Sequence, residues 1–349
     1  MSSTETDVYR EVPDDPEVGG RELLVIDGVQ ARISPRSEVL RLLPHRDRRM
    51  VGAWCFVDLY GPRPVADGET MHVAPHPHTG LQTVSWLASG RVRHRDALGS
   101  VADVVPGRAA VMTAGDGISH SEDVVVPAGG DGGPHVPGGA EREGESVLHG
   151  AQLWVALPEA ERARERGFTL HEPAPQVVVG GLRVSVFTGD LAGVRGPERG
   201  FTPLVGAQLT PAAAVDDGAG GGPSPEATGE LGLDAAYEHL LAPMAGEVSV
   251  DGTTVGAGQA LFLGTDRRAV SVSLSSDARV LLLGGAPFEE EIVMWWNFVA
   301  RTHDEVVVAR EQWNAGGDPR FGDVDYPGGE RLAAPPMPSV RLRPRGRRR

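Results

Sequence analysis

The stretch HPHTGLQ carries His76 and His78 one residue apart, and His120-Ser121-Glu122 repeats that spacing further along the chain. In an extended strand alternate side chains share a face, so each doublet aims two donor groups at one side. Three imidazoles and one carboxylate can meet on one metal ion only if the two segments lie on neighbouring strands. That demand restricts the fold more than any other feature. A lone H-x-H is more often chance or a surface patch. Two doublets in strand-like sequence, offering nitrogen and oxygen donors, suit a first-row transition metal.

The flanking residues fit such strands. Leu81, Val84, Trp86 and Leu87 alternate in part with Thr83 and Ser85, then Ser89-Gly90 turns the chain into Arg91-Val92-Arg93. Pro77 lacks a backbone donor and so predicts a strand start or a sheet edge for the histidines. Pro106-Gly107-Arg108 is a turn before Ala109 to Met112, and Ala114-Gly115-Asp116-Gly117 is another before Ile118 and His120. Antiparallel hairpins can thus bring the doublets side by side.

At 349 residues the chain exceeds the usual single domain, and two units of about 130 to 150 residues fit it. No apolar run reaches the roughly 18 residues that cross a bilayer, and the acidic start MSSTETDVYREVPDDPE is unlike a signal peptide, so a cytoplasmic protein is expected. Cys55 is the sole cysteine, which excludes an intrachain disulfide and reads as core. A net charge of -15 disfavours nucleic acid and anionic membrane as partners. The exception is the tail, where Arg341, Arg343, Arg345, Arg347, Arg348 and Arg349 make a cationic end able to touch RNA or an acidic partner. Its composition predicts a disordered segment over 323–349. Glycine-rich stretches at 128–144 and 212–232 read as flexible insertions, the first a lid or a tolerated surface loop. Residues 1–22 form an N-terminal segment, Ala160 to Arg166 a short helical turn, and Glu305 to Trp313 an amphipathic helix.

HPHTGLQTVSWLASGRVRHRD, a PG turn and MTAGDGISHSE together resemble the pirin family of the bicupin superfamily. The likeness extends through Arg49-Met50-Val51-Gly52, Phe56-Val57-Asp58 and Gln152 to Pro158. It continues with Leu281 to Pro287, Glu291-Ile292-Val293, Trp295 to Val299 and Arg320-Phe321-Gly322, spanning roughly residues 23 to 322. The resemblance implies an all-β bicupin: two antiparallel double-stranded β-helix (jelly-roll) barrels with a short C-terminal helix. A metal-binding barrel is expected over 23–160 and a second over 161–322. Strand-like Glu247 to Gly252, Val270 to Leu274 and Val280 to Leu283 suit the latter. It lacks H-x-H, and His239 and His303 stand isolated, so it is expected to be metal-free.

Carried over by position, the family's ligands fall on His76, His78, His120 and Glu122, with Fe(2+) as the usual ion and other divalent transition metals as alternatives. Some members oxidise quercetin-type flavonols with dioxygen; others are described as nuclear cofactors of transcription regulators. The family commonly has arginine at Thr79, an aromatic at Leu81 and glutamate at Gln82, and these departures sit beside the ligands.

An octahedral ion held by four protein groups keeps two positions open for a chelating substrate or for dioxygen. Glu122 is then a fourth ligand or a catalytic base. A closed tetrahedral zinc site would leave no such room. His94 and Asp96 share a face and could orient a ligand or serve a structural hydrogen bond; His72 could line the mouth, while Met112 and Trp86 read as core. Two functions follow: a dioxygenase acting on a phenolic, flavonol-like or other enolisable aromatic substrate, or a non-catalytic redox-sensing regulator that binds a protein partner.

Overall fold

Leu81–Ser89, Trp54–Pro64 and Val147–Ala156 are buried on both faces over much of their length, unlike the strands of a half-exposed sheet. The computed structural model, which describes residues 22–34, 37–65, 71–126, 147–212 and 226–348, shows why. These strands are central in a seven-stranded antiparallel sheet that runs Gly167–Leu170, Ala110–Thr113, Leu81–Ser89, Val147–Ala156, Trp54–Pro64, Ser37–Leu43, Val29–Ser34. One face closes on a four-stranded sheet of His72–His78, Ile118–Val124, Val92–Asp96 and Val101–Val104, completing the first barrel. The other face packs on a second seven-stranded sheet.

That second sheet backs onto its own four-stranded partner, so the described residues form two β-barrels and one helix, as expected. A shared core joins them. Val57, Val84, Trp86 and Leu153 of the first barrel meet Phe187, Leu240, Phe262 and Leu283 of the second. The indole N–H groups of Trp54 and Trp86 find acceptors across the junction, at the Val205 and Gly284 carbonyls (3.2 Å each) and at Gln208 Oε1 (2.9 Å). Buried Trp needs such a partner, and each removes roughly 150–250 Å² from water. Cys55 lies in this core, its thiol pushed up to about 12 by burial.

The barrel limits differ from those expected. Leu23–Asp27 pairs with Gln259–Leu263 in the second barrel, and Gly167–Leu170 pairs with Ala110–Thr113 in the first. Each chain end of a barrel therefore completes its neighbour, because an edge ladder in the other unit offers the unpaired backbone groups. Val293–Trp295 and Phe298–Ala300 form a hairpin that docks on the first barrel, with Val299 N–H donating to the Thr79 carbonyl (3.0 Å). The helix spans His303–Ala315, capped by Thr302, whose hydroxyl accepts from Glu305 N–H at 3.3 Å.

Most of the two expected insertions, 127–146 and 213–225, lies outside the described residues, as does 1–21; within the second, Ala227–Gly232 is a strand paired with Ala269–Leu274. The tail corrects its expectation as well. Through Arg348 it is laid along the protein: Ile292 and Arg345 exchange backbone hydrogen bonds, Arg49 N–H donates to the Arg347 carbonyl, and Leu332 N–H donates to that of Pro75. Composition understated its apolar content. Leu332, Ala334, Met337 and Leu342 pack with Trp313 and Phe321, while Glu238 and Glu289 receive Arg347.

Candidate metal centre

His76 and His78 end the edge strand His72–His78, where Pro77 costs no ladder bond. Ile118–Val124 runs antiparallel beside it, with His120 opposite His76 and Ile118 opposite His78. All three imidazoles are buried, and their ligand atoms lie within 4.8 Å of one another. His78 Nε2 stands 3.1 Å from His120 Nε2. Two nitrogens bound to one ion at about 2.1 Å sit ~3.0–3.4 Å apart, so the spacing fits a shared cation.

Outer hydrogen bonds fix the rings. Carbonyls only accept, so His76 Nδ1–H donates to the Ala74 carbonyl (2.9 Å) and His78 Nδ1–H to that of Asn297 (3.1 Å), leaving each Nε2 as a lone-pair donor. The second carbonyl comes from the turn of the Val293–Ala300 hairpin, where Trp296 takes a left-handed φ of 52°. That position normally falls to glycine. Burial holds the His76 imidazolium down to about 4, and burial plus neighbouring imidazoles holds those of His78 and His120 well below the ordinary 6.5. Neutral rings are the form a metal binds.

Glu122 is two residues beyond His120, past a bulge that sets it opposite Val73 rather than Ala74. It groups most closely with His94 and His120. Burial pushes its carboxyl up, offset in part by His94 and by the Ser85 hydroxyl 3.1 Å from Oε1. The same hydroxyl lies 2.7 Å from Gln152 Oε1, so its one proton serves either acceptor. Cross-strand register places Ser85, Gln152, Asp58 and Arg41 in one row over four adjacent strands. Arg41 closes the row with a bidentate pair to Asp58 (2.8 and 2.7 Å).

His76, His78 and Glu122 line one cavity, partly open to solvent. Its apolar wall holds Phe56 stacked on Trp154 at 4.0 Å, with Tyr60, Trp296 and Leu332; Arg41, Asp58 and Gln152 supply polar groups. The sequence singled out His76, His78, His120 and Glu122, of which the structure gathers the three histidines in one group and sets Glu122 in another with His94 and His120; it did not single out Arg41, Asp58, Ser85 or Gln152, whose alignment exists only in the folded register. His72 is exposed and pairs with Asp123 at 3.0 Å, off the cavity lining. Met112 and Trp86 are core. His239 is buried in the second barrel, and His303 Nδ1 accepts from Leu342 N–H.

The family model described as Pirin matches residues 36–155, and that described as Pirin C-terminal cupin domain matches 224–322. The chain belongs to the pirin family. A Pseudomonas aeruginosa protein provisionally named quercetin 2,3-dioxygenase is 40% identical over 308 residues, 88% of each chain. A pirin-like protein of Caulobacter vibrioides is 33% identical over 83% of this chain and 92% of its own. The crystal structure of a quercetin 2,3-dioxygenase from Acinetobacter baumannii superposes with a TM-score of 0.79 at 34% identity, over 92% of this pirin and 97% of that chain. Escherichia coli YhhW, solved in complex with nickel(II), shares the fold at 17% identity, over 76% of this pirin and all of its own chain, with a TM-score of 0.53.

The three departures from the common pirin pattern fall behind the ligands. Thr79 faces the Val299 carbonyl, Leu81 is core and Gln82 donates to Thr113 Oγ1 (3.0 Å). None of the three lines the cavity.

Proposed function

We propose that this pirin is an iron-dependent dioxygenase acting on a flavonol-like or other enolisable aromatic substrate. The observation that carries the reading is the cluster of three buried imidazoles, two of which, His76 and His78, line an aromatic-walled cavity. His76, His78 and His120 would hold the ion, with Glu122 as fourth ligand or as base. Bound there, a divalent ion would supply Lewis acidity that eases ionisation of an enolic or phenolic hydroxyl, and a place for dioxygen.

The remaining work falls to the chain. Glu122, its carboxyl held up by burial, accepts the proton that the substrate hydroxyl gives up, and the Ser85 hydroxyl beside its Oε1 holds the carboxyl in place. Phe56, Trp154 and Trp296 offer ring faces to a flat aromatic, while the Arg41–Asp58 pair meets oxygen substituents far from the ligands. Trp296 and Leu332 add apolar surface to the cavity wall.

Metal analysis of protein purified without added metal, followed by anaerobic iron reloading and an oxygen electrode with quercetin, tests the reading. Oxygen uptake coupled to loss of the flavonol's visible absorbance, abolished by His78→Ala, is expected. Bound iron without turnover on a wide phenol panel would overturn it and favour the regulator reading, whose partner a pull-down would seek.

A further inference from the structure

Two of the three clustered imidazoles anchor their outer nitrogen on a backbone carbonyl. His120 does not. Its Nδ1 lies 3.4 Å from Nδ1 of His94, a buried ring stacked on Phe168 at 4.0 Å with only 7° between the planes. On its far side, His94 Nε2 sits 3.2 Å from Asp96 Oδ2, and Asp96 Oδ1 accepts from the backbone N–H groups of Leu98 (2.8 Å) and Ser100 (3.0 Å). Burial raises the Asp96 carboxyl, but the hydrogen bond to His94, with those from Ser100 and Leu98, outweighs it and leaves it below the ordinary range.

We infer that Asp96 and His94 form a two-residue relay that sets the tautomer of His120, and that both are positioning residues for the metal centre. Bond polarity gives the direction. An ionised Asp96 only accepts, so His94 carries its proton on Nε2 and offers Nδ1 as an acceptor. His120 must then carry its proton on Nδ1 to donate to His94. Its Nε2, facing His78 Nε2, is left with a lone pair for the ion. The inference rests on the metal-binding part of the proposed function and not on any substrate.

Register explains why these residues meet. Glu122 is opposite His94, and His120 is opposite Asp96, on strands whose alternate residues face the barrel interior. The stack on Phe168 keeps the His94 ring from turning. Phe168 belongs to Gly167–Leu170, the strand that follows the interbarrel connection and returns to the first barrel.

Asp96→Asn makes the test sharp. Two backbone N–H groups converge on Oδ1, so the asparagine keeps its carbonyl there and turns its NH₂ toward His94 Nε2. That inverts both tautomers and puts a proton on His120 Nε2, where the ion would bind. In metal-free, ¹⁵N-histidine-labelled wild type, NMR should show His120 protonated on Nδ1 and bare on Nε2. Asp96→Asn should reverse this and weaken cobalt(II) binding, read by chelator competition, about 10–100-fold. Wild-type His120 protonated on Nε2 would overturn the relay, and that measurement needs no variant to fold. A folded Asp96→Asn protein with unchanged tautomer and a cobalt(II) affinity within twofold would overturn it too. Wild type that binds cobalt(II) but turns over no phenol would sink the dioxygenase and leave the relay standing.

Discussion

Glu238→Gln should destabilise the two-barrel junction by about 3–5 kcal/mol, the cost of stripping a buried ion pair of one partner. Glu238 Oε2 accepts from Arg48 Nη2 at 2.6 Å and from Arg347 Nη1 at 3.1 Å, while Oε1 accepts from Gly52 N–H at 2.8 Å. The Arg48 and Glu238 side chains are 2% and 1% exposed, so water cannot replace the lost contact. Burial lowers the Arg48 guanidinium to about 10, which still leaves it charged at neutral pH. Glutamine keeps the Gly52 bond but turns NH₂ toward two guanidinium groups. The Arg347 pair, on a 23% exposed side chain, adds at most about 1 kcal/mol. At roughly 2 °C per kcal/mol for a chain of this length, the melting midpoint should fall by about 6–10 °C. Arg48→Met with Glu238→Gln should recover most of that, because methionine can pack on the Phe262 ring that Arg48 covers at 3.7 Å. Urea unfolding followed by tryptophan fluorescence measures all three proteins. A loss under about 1 kcal/mol for the single variant, or a double variant no more stable than it, would refute the assignment of a desolvated pair.

Gly80→Ala should remove metal binding and lower stability together: Gly80 has φ +66°, and a Cβ there would press on the Val299 carbonyl that seats the hairpin behind His78. Equilibrium dialysis with cobalt(II) and a thermal melt check it. For the metal-free protein, stability should fall as pH drops from 6.5 toward 4. His76, His78 and His120 stay unprotonated when folded but take up protons when unfolded, so each contributes a slope of up to about 1.4 kcal/mol per pH unit. Glu122, raised when folded, works in the opposite sense just above 4.5. Urea midpoints at pH 7, 6 and 5 give the slope; a flat profile would count against buried neutral imidazoles. Leu332→Ala should enlarge the cavity and admit bulkier aromatics, with a stability loss below the roughly 2–5 kcal/mol of a fully buried leucine, because Leu332 is only half-buried. Fluorescence titration with a graded phenol series would show it, and unchanged size selectivity would contradict a role for the tail in the cavity wall.

The donor doublets, the turns around them and the helix were legible because each depends on neighbours in sequence: the two-residue period of a strand, a proline at an edge, the amphipathic spacing of Glu305 to Trp313. The tail was misjudged because its charge obscured four apolar residues whose value depends on a surface elsewhere. The barrel limits were misplaced for a related reason, since no local pattern reveals that Leu23–Asp27 finds its ladder on Gln259–Leu263.

By itself, then, the sequence determined that His76 and His78 share one face and that His120 and Glu122 share another, because backbone pleating does so wherever the chain is extended. Only the tertiary structure decided that these faces meet. It also supplied what makes the donors usable: the Asn297 carbonyl from 219 positions away, the contact of His94 with His120, and the Arg41–Asp58–Gln152–Ser85 row. Hydrogen bonds act over about 3 Å of space whatever the separation along the chain, so partners of this kind are readable only after the sheets have closed.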